Sequence, residues 1–154
     1  MSNSENKIEY SIGIRNQYLK DISFENPQAP EIFTKNIKPD VDISVDIKAN
    51  IKEESIYEVI LYLKVVYQFE SKIIFMIETE YGGVFDLSKI EKNNLEFVTL
   101  VECPKLLFPY IRQIVSNLTS YGGYPAILLD PVDFNSIFKQ QFYLINVIHL
   151  INSS

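Results

Sequence analysis

Four stretches of the chain alternate apolar and polar residues with a period of two, the mark of half-buried strands. Ile8, Tyr10, Ile12 and Ile14 share one face, and Tyr18, Ile22 and Phe24 continue less regularly past Asn16 and Gln17. "DVDISVDIK" is the cleanest case: Val41, Ile43, Val45 and Ile47 point one way, and Asp40, Asp42, Ser44 and Asp46 the other. After a polar joint, "ANIKEE", the segment "SIYEVILYLKVVYQF" puts Tyr57, Val59, Leu61, Leu63, Val65, Tyr67 and Phe69 on one face. Its other face is only half polar. "ESK" reads as a tight reversal into "IIFMIETEY", with Ile73, Phe75, Ile77, Thr79 and Tyr81 on one side and Ile74, Met76, Glu78 and Glu80 on the other. Gly82 and Gly83 are expected to end this strand.

Beyond them the period lengthens. Asn93 to Val101 predicts a helical segment ending before Pro104. Leu106 to Tyr121 predicts a second helix, with Leu107, Tyr110, Ile111, Ile114, Val115 and Leu118 three or four residues apart. Gly122 is expected to close it in the left-handed conformation. "YPAILLDPV" reads as extended. Asp133 is a candidate N-cap for a last helix carrying Phe134, Ile137, Phe138, Phe142 and Ile145. Strands first and helices after predict an α+β fold: a four-stranded antiparallel sheet with C-terminal helices on one face.

Two features of this pattern call for a partner. The connection "ENPQAPEIFTKNIKPD" holds Pro27, Pro30 and Pro39, so it reads as a long extended link. It nevertheless carries Ile32, Phe33 and Ile37, which must dock somewhere. The second face of strands three and four shows Ile60, Tyr62, Val66, Ile74 and Met76, an apolar patch of a size that seldom faces water on a monomer. Self-association would cover part of it.

Composition narrows the function classes. The chain has 154 residues, enough for one domain with a real core. Its net charge of −6 argues against nucleic acid and anionic membranes and suits a basic partner. Aromatic residues make up 13%, which fits a sheet rich in Tyr and Phe or, more pointedly, an aromatic binding surface. A single cysteine excludes an internal disulfide and fits a reducing compartment. The polar N-terminus has no apolar core of a secretory signal, and the apolar stretches fall short of a membrane span.

The residues offer no chemistry. His149 stands alone, without ligand spacing around it. Cys103 precedes a proline in an apolar run and reads as a buried, inert thiol. Ser116 and Ser120 lack a nucleophile-elbow context. Neither glycine pair has phosphate-loop spacing. Asp21 with Glu25 and Glu78 with Glu80 read as a solvated face. No enzyme activity, metal or cofactor is expected.

Several segments together resemble the SecB family of bacterial protein-export chaperones. They are "YLKDISFENPQAPEIF", "YGGVFDL", "CPKLLFPYIRQIVSNLTSYGGYP" and "LLDPVDFNSIF". The resemblance implies a cytoplasmic, ATP-independent holdase that assembles as a dimer of dimers. Such a protein binds unfolded precursors in apolar grooves and delivers them to the SecA ATPase. The SecA contacts would fall on Asp21, Glu25, Met76 and Glu78, facing a basic SecA tail that holds its own zinc. The dimer–dimer contact would fall on Ile77, Thr79 and Tyr81. The client grooves would be lined by Phe33, Ile37, Val41, Ile43, Val45 and Phe138. The expected organisation is a flexible N-terminus over 1–9, a SecB-like domain over 10–141, and a C-terminal extension or tail over 142–154. That tail is apolar, "KQQFYLINVIHLINSS", where the family is often acidic. The alternative is an α+β module of the same class that binds a small apolar ligand and has no part in export.

Overall fold

The structure, a computed structural model, describes residues 11–140. The expectations that rest on Ile8, Tyr10, Phe142, Ile145 and His149, and on segments 1–9 and 142–154, lie outside the described residues.

Four strands form one antiparallel sheet: β1 (Gly13–Glu25), β2 (Asp40–Glu53), β3 (Ile56–Phe69) and β4 (Lys72–Asp86), in the spatial order β1-β4-β3-β2. The hairpins β2–β3 and β3–β4 are tight. The first turns at Ser55 (φ 64°) and the second at Glu70 (φ 48°) and Ser71 (φ 64°). β2 runs on to Glu53, so the turn is shorter than the polar joint suggested. β1 instead crosses to the far edge through residues 26–39, which include a single 3₁₀ turn, Glu31–Thr34.

The helices sit on one face. A helical turn (Leu95–Phe97) leads through a wider π turn (Val98–Glu102) into the long helix α1 (Cys103–Tyr121). The helix does not stop before Pro104, as the sequence pattern predicted. Pro104 occupies the first turn of α1, where a missing N–H is tolerated. Leu107, Ile111 and Val115 lie on one stripe of α1 and are fully buried against Val59, Leu61, Leu63, Phe75 and Ile77 of the sheet. Asp133 caps a last helical stretch, 134–140: its Oδ1 accepts the Ser136 N–H at 3.1 Å.

Three other expectations need correction. β4 does not end at Gly82–Gly83 but continues to Asp86. The glycines make room instead: a Cβ on Gly82 would stand 3.0 Å from the Tyr18 ring. The left-handed residue after α1 is Gly123 (φ 94°), not Gly122 (φ −73°). The alternation of β4 also slips near its start. Tyr67 opposes Phe75 while Gln68 opposes Ile73, so Ile74 is the extra residue of a bulge. Ile74 therefore turns into the core and Ile73 faces out.

Bulges shape the outer face as well. The register of β1 skips Lys20 and that of β2 skips Lys52. Both lysines reach the same buried carboxylate, Glu58, at 3.2 and 3.4 Å. The Tyr18 hydroxyl, lying over Gly82, donates to it too. These donors hold Glu58 below the usual carboxylate range, the tyrosine hydroxyl first and then the lysines, against the opposing effect of burial. On this face Ile60 is buried, as Ile74 is on the other. The expected outer apolar patch thus shrinks to the half-buried Tyr62, Val66 and Met76.

Candidate functional site

Two surfaces stand out, one on each side of the sheet. On the helix side, the crossover segment and the chain after α1 approach each other over the two central strands, near the β3–β4 turn. Phe75, fully buried, forms a floor. Tyr67 stacks on it with centroids 4.6 Å apart, and Tyr124 tilts against it at 4.7 Å. Phe33 reaches across from the crossover segment to Tyr124 at 5.4 Å, yet remains 49% exposed. Gly123 permits this approach, because a Cβ there would meet the Phe33 ring at 2.7 Å.

Polar ties fix the two walls. The Asn26 side chain donates to the Gly122 carbonyl at 2.9 Å and accepts the Tyr124 hydroxyl at 2.5 Å. Burial pushes the Tyr124 phenol up, and Tyr67 adds to the effect. Thr119 accepts the Ile127 N–H at 3.0 Å, and Arg112 donates to the Leu129 carbonyl at 2.9 Å. The chain after α1 is thereby strapped to the helix.

Between the walls runs a trough. One cavity of about 240 Å³ is lined by Phe33, Ile37, Pro39, Tyr67, Tyr124 and Pro125, among others. A second, of about 420 Å³, adjoins it beneath Ile32 and Lys35 and reaches the β3–β4 turn. β2 continues the apolar surface along the sheet edge. Its Val41 and Ile43 remain 47% and 45% exposed, while Val45 packs partly on the core. Among the described residues no strand pairs with the outer edge of β2, which leaves backbone groups there for an extended guest. Phe138 lies at a further margin, edge-on to Phe97 at 5.9 Å.

On the outer face, β1 and β4 bring together the residues expected to meet a basic partner. Asp21 opposes Glu80, Ser23 opposes Glu78, and Glu25 opposes Met76. Only Glu78 has a cation in reach among the described residues, Lys64 at 3.6 Å. Like charges set directly opposite across strands cost stability. Asp21 and Glu80 are such a pair. Glu80 belongs to this cluster and was expected only as a partner of Glu78.

Ile77, Thr79 and Tyr81 lie on the helix side, beneath α1. Ile77 and Thr79 are buried within the single chain, so any part they take in assembly passes through the helix resting on them. Thr79 Oγ1 is buried with no hydrogen-bond partner among the described residues. Tyr81 stacks on Tyr110 of α1 at 5.4 Å, and Tyr110 is half exposed.

The residues that sequence reasoning missed are the ring floor and far wall: Tyr67, Phe75 and Tyr124. The glycine pair before Tyr124 and the proline after it were a signal of a fixed turn, but not of what it would face. Cys103 is buried as expected, and burial together with the Glu102 carboxylate pushes its thiol up to about 12. No cluster of metal-ligating side chains occurs among the described residues.

Open apolar troughs beside an acidic sheet suit a protein that holds other chains, and the relatives agree. The family model for "Preprotein translocase subunit SecB" matches residues 5–143. The protein-export protein SecB of Bartonella bacilliformis is 41% identical over 81% of this chain and 79% of its own length. That of Sphingopyxis alaskensis is 38% identical over 85% of this chain and 76% of its own. A SecB-like chaperone of Mycobacterium tuberculosis, solved with an antitoxin peptide, shares the fold. It has a TM-score of 0.65 at 19% identity, and the match covers 79% of this chain and 91% of that one. The chain belongs to the SecB family, and its function is that of a protein-export chaperone. The family is one of chaperones and not of enzymes, and the small-ligand alternative is not favoured. No helix among the described residues is long and apolar enough to cross a membrane.

Proposed function

We propose that the trough between Phe33 and Tyr124 is where unfolded precursor segments bind, and that the acidic face of β1 and β4 receives SecA. The observation that carries the first assignment is the half-exposed Phe33 over a floor of stacked rings. Apolar burial, at about 25 cal/mol per Å², grips many sequences without reading any one of them. Phe33, Ile37, Val41, Ile43 and Val45 supply that surface continuously from the crossover segment to β2, and Phe138 extends it. Alternation in an extended guest matches alternation along β2.

The second assignment is supported by charge. Glu25 directly opposes Met76, Glu78 follows two residues on, and Asp21 and Glu80 lie farther along the same ladder, so an apolar anchor sits at the end of a row of carboxylates. A basic tail of SecA fits both. The two surfaces lie on opposite faces of the sheet, so delivery does not require the client to leave first.

Assembly as a homotetramer, a dimer of dimers in the cytoplasm, completes the reading. The support is the outer side of α1 with β1: Tyr121, Tyr110, Leu19 and Ile22 are all exposed on the single chain. A second copy would cover them, with Ile77, Thr79 and Tyr81 as the floor under the helix. Several troughs on one particle then multiply weak contacts through effective concentration.

The test separates the two surfaces. Phe33→Asp should lose suppression of aggregation of an unfolded precursor by about ten-fold and keep SecA binding. Asp21→Asn with Glu25→Gln should do the reverse. Loss of both activities in either variant would overturn the division.

A further inference from the structure

The acidic end of β1 owes its orientation to one extra residue. Tyr18 opposes Gly82 on the outer face, and Leu19 opposes Tyr81 on the helix side. By alternation Lys20 would then face out and Asp21 in. Instead the register skips Lys20, and Asp21 opposes Glu80 on the outer face. Two successive residues thus point outward, and every later residue of β1 changes face. Ile22 and Phe24 turn to the helix side, opposite Thr79 and Ile77. There Phe24 packs on the core, its ring 5.9 Å from that of Phe75. Asp21 and Glu25 turn outward. Without the bulge both carboxylates would lie on the helix side.

The group that holds the extra residue is Glu58, buried in the outer face of β3, with β4 between it and β1. Lys20 Nζ lies 3.2 Å from its Oε2, and the Tyr18 hydroxyl donates to the same oxygen. Tyr18 crosses β4 at Gly82, where a Cβ would stand 3.0 Å from the ring. Lys52, which the register of β2 skips, lies 3.4 Å from Oε1. The bulge is therefore tied at the extra residue by Lys20 and just before it by Tyr18. Hydrogen bonds to a buried carboxylate are strong and costly to leave unmade.

We propose that Glu58 is a positioning residue for partner docking: through Tyr18 and Lys20 it fixes the bulge, and the bulge sets Asp21 and Glu25 on the face that receives a basic partner. The inference rests on the acidic face as the SecA site and adds what orients it. Charge and positioning make opposite demands of Lys20. As a cation beside the carboxylates it opposes a basic partner, so by charge alone its removal strengthens docking. As the tie that holds the bulge, its removal weakens docking.

Lys20→Gln and Tyr18→Phe, each made in the full-length chain, decide between these. Both should bind SecA about five-fold more weakly than the wild type and suppress aggregation of an unfolded precursor equally well. Tyr18→Phe alters no charge. Amide hydrogen exchange should quicken over residues 21–25 in both variants and stay as in the wild type over β3. Tighter SecA binding by Lys20→Gln, or wild-type binding by both variants, would overturn the positioning role. Weaker binding with unchanged exchange over 21–25 would overturn it too, since Tyr18 and Lys20 would then be direct contacts. So would equal loss of client suppression, the mark of general destabilisation. In each of these cases Asp21→Asn with Glu25→Gln still loses SecA, and the acidic face stands. Normal SecA binding by that double variant would overturn the acidic face itself, and the positioning with it.

Discussion

The two faces of the sheet solve opposite problems. The helix side is apolar, and α1 covers most of it: Leu107, Ile111 and Val115 lie fully buried on Leu61, Leu63 and Ile77. What α1 leaves uncovered is a strip of rings and aliphatic side chains from Phe33 to Ile43. The outer side mixes charge with the half-buried Tyr62, Val66 and Met76. Its one deeply buried charge among the described residues, Glu58, is met by Tyr18, Lys20 and Lys52. What remains unmatched there is like charge, with Asp21 set against Glu80. Each face completes itself except at one place, and those places differ in kind. An uncovered apolar strip takes any unfolded chain, whereas an unmatched acidic cluster selects a basic one.

The contrast can be broken most strongly from inside. Phe75→Ala removes the trough floor and a core ring at once. It should cost about 3–5 kcal/mol in denaturant unfolding and abolish client binding. A variant that binds clients normally at that cost would show that the rings do not form the site.

Acid sharpens the contrast from the other face. Glu58 has a folded pKa lowered from 4.5. Its contribution to stability is therefore present above pH 4.5 and lost as the pH falls through the lower folded value. Glu58→Gln should destabilise the chain at neutral pH and flatten its dependence on acid. The difference between the two unfolding curves should close below that window.

The smallest change is Thr79→Val. An unpartnered buried hydroxyl costs about 1–3 kcal/mol, so an apolar side chain of the same shape should stabilise the chain by about 1 kcal/mol. A loss of stability would mean that the hydroxyl finds a partner once the subunits assemble.

Much of the frame is legible in the alternation of residues 40–81, because a period of two with one buried face admits few registers. The failures have local causes. Gly82 looked like a terminator, but its absent Cβ serves the Tyr18 ring, forty residues from the Glu58 that Tyr18 bonds. A bulge at Ile74 exchanged the faces of two neighbouring isoleucines, and nothing in "SKIIFM" marks a bulge. Of the site, Phe33 and Ile37 stood out as apolar residues in a proline-rich link. Tyr67 and Tyr124 did not, since each reads as ordinary strand or loop until the chain is folded. The acidic cluster came from family resemblance, and the register of β1 against β4 supplies the physical reason it is one cluster.

The central claim is that clients and SecA use opposite faces of one sheet. Site-specific photo-crosslinking tests it most directly, with the reactive group placed at residue 33 or at residue 21 and a labelled unfolded precursor bound. The account predicts crosslinks to the precursor from position 33 and none from position 21. Crosslinks from position 21 with none from position 33 would contradict it.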